Sequence, residues 1–169
     1  MSNANVLNPI RAHATDNERR QQYARVMNRL EPLLRDETDR VAIMATIVCE
    51  LHHAFDYYNW TGFYRNLGGE LVIGPYQGTH GCLRIAFGRG VCGAAARTKT
   101  TQLVDDVHTF PGHIACCSST QSEVVVPWTS QTGDLLGVLD VDSDSLAAFT
   151  RADVIALEEI LHHLGSSRT

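Results

Sequence analysis

The spacing of apolar residues predicts two helices in the first third of the chain. Apolar side chains recur every three or four positions from 23 to 30 and from 41 to 55, as on one face of a helix. Thr15 and Glu18 form a capping-box pair, which predicts the start of the first helix. Pro32 predicts the end of this helix or a bend in it. The second helix follows Thr38, and its apolar stripe consists of Val41, Met44, Val48, Leu51 and Phe55.

The middle of the chain instead follows the apolar pattern of β-strands. Two such segments, YYNWTGFYR and LVIGPYQG, flank the turn at 67–69 and predict a hairpin. A second short turn, at 130–134, joins another pair of strands. Because these turns are too short for a crossover connection, we expect both pairs to be antiparallel. The predicted strands are YYNWTGFYR, LVIGPYQG, LRIAFG, TQLVDD, SEVVVPW and LLGVLDVDS.

A last helix is predicted from Thr150, which forms a capping signal with Asp153. Helices at both ends with strands between them indicate the α+β class, with a central antiparallel sheet flanked by N- and C-terminal helices. The length of 169 residues suits one compact domain. We expect residues 1–14 to form a flexible leader and residues 15–169 to form a single domain with an N-terminal helical extension.

Composition and charge narrow the possible function classes. Hydrophobic residues make up 44% of the chain, and the net charge is −5 without a block of like charge. An acidic protein without a basic face is a poor candidate for binding nucleic acid or an anionic membrane. The sequence has no apolar run long enough to cross a bilayer and no secretory signal, so we expect a soluble, cytoplasmic protein. Its five cysteines should then be mostly reduced at rest.

The stretch FGRGVCGAAA contains a glycine pattern that is typical of dinucleotide-binding turns. Gly88, Gly90 and Gly93 match G-x-G-x-x-G. The match follows an antiparallel hairpin rather than opening a βαβ unit, and the next acidic residues come too soon for a ribose contact. We therefore interpret the glycines as a tight turn before a short helix. Cys92 then lies near the helix N-terminus, where the dipole favours a thiolate; the alternative is a small buried core residue.

Several segments resemble the free methionine-(R)-sulfoxide reductases, which are stand-alone enzymes built on the GAF fold. The resemblance runs from about Asn59 to Asp153. The segments that carry it are NWTGFY, GPYQG, CLRIAFGRGVCG, DVHTFPGHIAC, SEVVVP and GVLDVDS. The resemblance implies a GAF domain that reduces free L-methionine (R)-S-oxide to L-methionine through a cysteine sulfenic acid and an intramolecular disulfide. It also implies recycling by a thioredoxin-like dithiol protein and no bound cofactor.

The resemblance assigns roles to three of the cysteines. Cys116 matches the cysteine that attacks the substrate, Cys82 is the main candidate to resolve the intermediate, and Cys92 matches an additional or alternative partner. Cys117 departs from the family pattern, and this adjacent thiol leaves the resolving residue open among Cys82, Cys92 and Cys117. Cys49 has no family role, and we expect it in the core.

Sulfoxide reduction needs a thiolate and a donor for one proton. Asp140 and Asp142 alternate on one strand and so share a face, and Glu123 begins another strand. Carboxylates crowded on one face repel, so one of them should keep its proton and serve as the acid. The alternative is that these side chains face solvent; the resemblance favours the site, because these positions contact substrate in the family. His113, close to Cys116 in a long loop, either lowers the pKa of that thiol or is a surface residue.

A free amino acid also needs partners for its charged ends and its apolar end. Asp140 and Asp142 would meet the ammonium group, and the N–H groups of the turn at 88–92 would meet the carboxylate. Trp60 and Tyr64 are four apart on a strand, hence on one face, and fit an apolar wall for the methylsulfinyl group. A strand tryptophan is also a common core residue, so the pattern alone leaves the role of Trp60 open.

Two other functions compete with the reductase. GAF folds also serve as small-molecule sensors without catalysis, and the fold alone does not separate the two. A zinc site built from the cysteines and histidines would lack the usual Cys-x-x-Cys pair, so we expect no metal. Dimers occur in the family that the chain resembles, which leaves a homodimer open.

Overall fold

The computed structural model describes residues 7–113 and 118–165, and within them it has the α+β architecture that the sequence predicts. The helices are α1 (Asp16–Leu34), α2 (Arg40–Ala54), α3 (Gly90–Thr98) and α4 (Arg151–Ile160). The strands are β1 (Trp60–Leu67), β2 (Glu70–Gln77), β3 (Arg84–Ala86), β4 (Gln102–Val104), β5 (Ser122–Thr129) and β6 (Leu135–Ser143). A 3₁₀ turn covers Val107–Thr109, and a π-helical turn, Leu161–Gly165, continues α4. No helix in these two ranges has both the length and the apolar character to cross a membrane.

The strands form a six-stranded antiparallel sheet in the order β3-β2-β1-β6-β5-β4. Both predicted hairpins, β1–β2 and β5–β6, are present. The hydrophobic pattern did not predict which strands of the two hairpins lie side by side. The pairing of β1 with β6 joins them at the centre of the sheet, and it brings the aromatic residues of β1 next to the acidic residues of β6.

Local signals place the ends of the helices well. Capping boxes at Thr15 and Thr150 start α1 and α4 as predicted. Pro32 does not end α1, which continues to Leu34. A proline so close to the C-terminus removes a single i→i−4 hydrogen bond from a helix that ends within the same turn, so the cost is small.

Two residues of α2 that we expected to be buried are exposed. Val41 is 51% exposed, and Cys49, which we expected in the core, is also exposed. Each helical residue is rotated by about 100° from the one before it, so Cys49 turns away from the core although Val48 is buried. The expectation for Cys49 was therefore wrong. The buried residues of α2 are Ile43, Met44, Ile47, Val48, Leu51 and Ala54.

The sheet carries a separate hydrophobic cluster on each face. One face packs against α1, α2 and α4, and the other packs against α3. Because side chains alternate along a strand, Phe63 points to the first cluster, whereas Trp60 and Tyr64 point to the second. The α3 face also carries the acidic side chains of β5 and β6, which lie in register with buried apolar residues of the same cluster. The acidic residues are Glu123, Asp140 and Asp142.

A buried polar network ties α1 to α4 and to the segment before β1. Arg19 and Asp153 form an ion pair with 2.6 Å between Nη1 and Oδ2, and neither side chain is more than 2% exposed. The Tyr23 hydroxyl donates to Asp153 Oδ1 at 2.8 Å, and Tyr57 makes hydrogen bonds with both charged groups. Arg19 also donates to the carbonyl oxygen of Ala12, so the same side chain holds the segment that precedes α1.

Candidate active site

A cavity opens on the α3 face of the sheet, between α3 and strands β1, β5 and β6. About 490 Å³ of space lies between its walls, and this figure includes space that is open to solvent. Most of the residues that we singled out from the sequence line it. They are Trp60, Tyr64, Cys92, Glu123, Asp140 and Asp142.

The glycine pattern builds the turn that brings α3 to this cavity. Gly88 and Gly90 adopt positive φ angles of 81° and 61°, which side-chain-bearing residues rarely adopt. A Cβ atom at Gly93 would lie 2.5 Å from the carbonyl oxygen of Ala86, so the third glycine lets α3 approach β3 closely. The interpretation as a tight turn is confirmed, and the antiparallel sheet around it is not the βαβ unit of a dinucleotide site.

Cys92 lies in the first turn of α3 and is buried. Its Sγ donates to Glu123 Oε1 at 3.8 Å. Burial raises the pKa of the Cys92 thiol well above its usual value, and the nearby carboxyl groups of Asp140 and Glu123 raise it further. Of the two roles that the sequence left open for Cys92, the structure therefore favours a buried, protonated thiol over a thiolate at the helix N-terminus. The helix dipole stabilises a thiolate, but burial and two nearby acidic groups destabilise it by more.

The backbone of the turn at 88–92 offers fewer free donors than the sequence suggested. Gly88 donates to Gly93, Arg89 donates to Ala86, and Gly90 donates to Gly112, at distances between 2.7 and 3.2 Å. The remaining N–H groups belong to Val91 and Cys92, which have no backbone acceptor within the described part of the chain. These two groups point along the start of a nine-residue helix, where the dipole favours an anion.

The three acidic residues form a compact cluster across two paired strands. Glu123 lies directly opposite Asp142, and Asp140 lies two positions further along β6. Burial raises the pKa of Glu123 well above its usual value, and Asp140 and Asp142 raise it further. Burial likewise raises the pKa of Asp140 to about 6, although hydrogen bonds from Cys92 and Glu123 oppose this rise. Hydrogen bonding between the two carboxyl groups raises the pKa of Glu123 and lowers that of Asp140, so a proton held by the pair favours Glu123.

The aromatic side chains of β1 form the opposite wall of the cavity. Trp60 and Tyr64 stack with their ring centroids 5.8 Å apart, and Tyr76 stacks on Trp60 at 5.5 Å. The Trp60 Nε1 donates to the carbonyl oxygen of Thr79 at 3.0 Å, which holds the loop after β2 against this wall. Burial and Asp140 raise the pKa of the Tyr64 hydroxyl, so that group is neutral at ordinary pH.

The cysteines are distributed unevenly around the site. Cys82 is partly buried beside the apolar cluster of the α3 face and is disulfide-bonded, whereas Cys49 and Cys92 are free. Cys116 and Cys117 lie outside the described residues. His113, which we considered as an activator of Cys116, lines the cavity, and burial and His108 lower its pKa, so its imidazole is neutral.

Other residues complete the lining of the cavity. His80, which the sequence offered only as a zinc ligand, borders it, as do Gly81, Arg89 and Thr120, which the sequence did not single out. All of them lie in loops or at a helix start, where no periodic pattern indicates the direction of a side chain. A Cβ atom at Gly81 would lie 2.9 Å from the Tyr64 hydroxyl and 3.0 Å from the Trp60 ring, so this position needs a glycine. The one signal in the sequence was that Gly81 directly precedes Cys82.

Comparison with known proteins gives consistent results. The GAF domain model matches residues 19–167. The GAF domain-containing protein A of Dictyostelium discoideum is 44% identical over 142 residues, which cover 83% of this chain and 89% of that protein. A free methionine-R-sulfoxide reductase of Escherichia coli is 38% identical over 142 residues, 84% of this chain and 86% of that enzyme.

A solved structure extends these likenesses to three dimensions. The X-ray structure of free methionine-R-sulfoxide reductase from Neisseria meningitidis, in complex with its substrate, matches with a TM-score of 0.83 and 42% identity. The match covers 94% of this chain and 92% of that chain. The predicted GAF fold is thereby confirmed.

Proposed function

The chain belongs to the GAF-domain family and, within it, to the free methionine-R-sulfoxide reductases, and from this premise we propose that it reduces free L-methionine (R)-sulfoxide to L-methionine. The observation that carries the proposal is the meeting of three kinds of surface around one cavity. An acidic cluster, a helix N-terminus and an aromatic wall face the same space. A free amino acid sulfoxide carries a complementary group for each of them.

The ammonium group of the substrate would bind at Asp140 and Asp142. Asp140 Oδ1 is buried and has no hydrogen-bond partner among the described residues. A buried carboxylate oxygen without a hydrogen-bond partner destabilises the protein without ligand. A ligand that donates a hydrogen bond to this oxygen removes that penalty, which strengthens its binding. An ammonium group supplies both the donor and the opposite charge.

The carboxylate of the substrate would bind at the start of α3. The N–H groups of Val91 and Cys92 are the donors that the turn leaves for it, and the helix dipole adds attraction. Arg89, the exposed N-cap residue of α3, lines the same cavity and adds a positive charge at its edge. Recognition of both charged ends would make the enzyme selective for the free amino acid over a sulfoxide within a polypeptide.

The methylsulfinyl group would then lie between the aromatic wall and Glu123. Trp60 and Tyr64 present a stacked apolar surface to the methyl group. Glu123 holds a proton in its buried position and can give it to the sulfoxide oxygen. Asp140, with the lower pKa of the pair, remains available as the anion that attracts the ammonium group.

The reaction proceeds in three balanced steps. The Cys116 thiol loses its proton and its sulfur attacks the substrate sulfur, while Glu123 protonates the sulfoxide oxygen. The S–O bond of the substrate breaks as the hydroxyl passes to the Cys116 sulfur, so methionine leaves and Cys116 becomes a sulfenic acid. The proton that the thiol lost restores the acid form of Glu123. The Cys82 thiol condenses with the sulfenic acid, which forms a disulfide and releases water. A dithiol protein such as thioredoxin then reduces this disulfide to two thiols and is itself oxidised to a disulfide.

The disulfide bond of Cys82 supports its proposed role as the resolving residue. Cys82 is disulfide-bonded, and its partner is neither Cys49 nor Cys92, because both of these are free. Cys92 is hydrogen-bonded to the proton donor and holds its own proton, which suits it less to attack a sulfenic acid.

Replacement of the nucleophile tests the proposal directly. Cys116→Ser, incubated with methionine (R)-sulfoxide and no reductant, should release no methionine, whereas the parent protein should release about one per chain. Cys49→Ser is the matched control and should release as much as the parent, because Cys49 is exposed on α2, away from the cavity. Release of about one methionine per chain by Cys116→Ser would refute the assignment and would instead fit Cys116 as the resolving residue.

A further inference from the structure

Three side chains in the cavity bring potential metal-ligand atoms together. A sulfur of Cys92 and one carboxylate oxygen each of Glu123 and Asp140 all lie within 4.8 Å of one another. The three residues come from α3, β5 and β6, so the sheet and the helix packed on it hold them in place. Their side chains are close to fully buried, with exposures of 4%, 6% and 5%.

The donor set selects a class of cation. One thiolate with two carboxylate oxygens suits Zn²⁺ and Cd²⁺, whereas Mg²⁺ and Ca²⁺ prefer oxygen ligands alone. In a tetrahedral zinc site, neighbouring sulfur and oxygen ligands are about 3.5 Å apart, as follows from the usual bond lengths. The Cys92 sulfur already lies 3.8 Å from Glu123 Oε1, so small side-chain rotations would complete this part of the site.

An independent observation shows that one oxygen of the cluster is unpartnered within the described residues. Asp140 Oδ1 is buried and lacks a hydrogen-bond partner among residues 7–113 and 118–165. His80 and His113 line the same cavity, and either of them or a water molecule can supply the fourth ligand. The cationic side chain in the lining, Arg89, is exposed at the edge rather than buried with the acids.

We propose that Cys92, Glu123 and Asp140 bind an exchangeable Zn²⁺-class cation that excludes the substrate from the cavity. The ion would inhibit the enzyme rather than serve as a cofactor, because it occupies the place of the substrate ammonium group and ties up the proton donor. The binding of the ion stands on the geometry alone. Its competition with substrate rests on the proposed function.

Cadmium is the probe for the site, because a Cd²⁺–thiolate bond has its own ultraviolet charge-transfer absorption. The full chain, titrated with Cd²⁺, should show this absorption at one equivalent, with affinity unchanged by a hundredfold excess of Mg²⁺. Cys92→Ser should lose the band and weaken binding at least tenfold. Cys49→Ser, which removes the other free thiol of the described residues, should retain both. Displacement by Mg²⁺, or a band that survives Cys92→Ser, would overturn the proposal.

A second variant and a competing ligand separate the possible outcomes. Asp140→Asn keeps the thiol but removes one charged ligand, so it should keep the band and weaken Cd²⁺ binding at least tenfold; unchanged affinity would contradict the site. Free methionine should displace Cd²⁺ from the parent protein, and simultaneous binding of both would contradict the exclusion of substrate. If Cd²⁺ binds through Cys92 but methionine sulfoxide is not reduced, the metal site stands and the proposed function fails.

Discussion

At the scale of single residues, the protonation of two buried carboxyl groups determines what the cavity can do. Glu123 and Asp140 share a hydrogen bond, and burial raises the pKa of both. A buried pair of this kind binds one proton tightly, since two adjacent anions would repel in a medium that water does not screen. The site therefore offers one acid and one anion at neutral pH, which matches the needs of an ammonium-bearing sulfoxide.

The raised pKa of Asp140 makes a prediction about stability. Its folded pKa of about 6 lies above the ordinary value of 3.8, so the folded state binds the proton more tightly than the unfolded chain. The contribution of Asp140 to stability is therefore greatest below pH 4 and is lost as the pH rises to about 6. The free energy of unfolding of Asp140→Asn should thus gain about 2.5 kcal/mol relative to the parent between pH 4 and pH 7.5.

Denaturant unfolding at both pH values measures this gain. Asp36→Asn, at an exposed position between α1 and α2, is the matched control and should change the free energy of unfolding by less than about 0.5 kcal/mol at either pH. An equal effect of Asp140→Asn at pH 4 and pH 7.5 would show that Asp140 is not protonated more readily in the folded protein.

Glu123 makes a prediction about catalysis. Glu123→Gln keeps the size and hydrogen-bonding shape of the side chain but cannot release a proton to the sulfoxide oxygen. The single-turnover rate of methionine formation should fall by about 10²- to 10⁴-fold, with a smaller change in substrate affinity. Glu31→Gln, at an exposed site of α1, should keep the parental rate. A rate for Glu123→Gln within a factor of three of the parent would exclude Glu123 as the acid.

The sequence predicted which side chains belong to the site better than it predicted their protonation and burial. Alternation along β6 placed Asp140 and Asp142 on one face, and the family resemblance pointed to Glu123 and Trp60. The sequence could not decide between a thiolate and a buried thiol at Cys92, because its burial depends on strands that are distant in the sequence. The exposure of Cys49 was missed because the apolar spacing along α2 locates the edge of the buried face only to within one residue.

At the scale of elements, a buried polar network connects α1 with α4. The buried pair of Arg19 and Asp153 joins the two terminal helices, and the hydroxyls of Tyr23, Tyr57 and Tyr58 surround it. A buried ion pair contributes little net stability, but the loss of one partner leaves an uncompensated charge. The network therefore fixes where α1 docks more than it strengthens the fold.

Removing one partner of the Arg19–Asp153 pair should strongly destabilise the fold. Arg19→Met retains the length of the side chain but leaves Asp153 buried without its cation, and it should lower the free energy of unfolding by about 3–5 kcal/mol. Arg20→Met, on the exposed side of the same turn of α1, should change it by less than about 0.5 kcal/mol. Chemical denaturation at pH 7 distinguishes the two variants, and equal effects would contradict a fixed helix–helix junction at Arg19.

Element boundaries were predictable where a local signal exists. Thr15 and Thr150 carry capping signals that need no tertiary context, and both helices start there. Pro32 indicated the end of α1 only to within two residues, because the cost of a proline depends on how much helix remains after it. The pairing of β1 with β6 was not predictable, because it joins strands about 70 residues apart and no turn specifies it.

At the scale of the whole molecule, the fold serves to collect residues from distant parts of the chain around one cavity. Trp60 lies directly opposite Asp142 across the β1–β6 pair, and Glu123 lies opposite Asp142 on the other side. The glycine turn brings the start of α3 over the same strands. A sensor domain could use such a cavity for binding alone, so the thiol chemistry is what separates a reductase from a sensor.

The disulfide formed during a single turnover tests the central claim most directly. The fully reduced protein is treated with methionine (R)-sulfoxide without reductant, its thiols are counted, and its disulfide is identified by peptide mapping. The account predicts one methionine released and two thiols lost per chain, with Cys82 linked to Cys116 and with Cys49 and Cys92 still reduced. An unchanged thiol count with bound substrate would instead indicate a sensor, and a disulfide that leaves Cys82 free would contradict the proposed catalytic route.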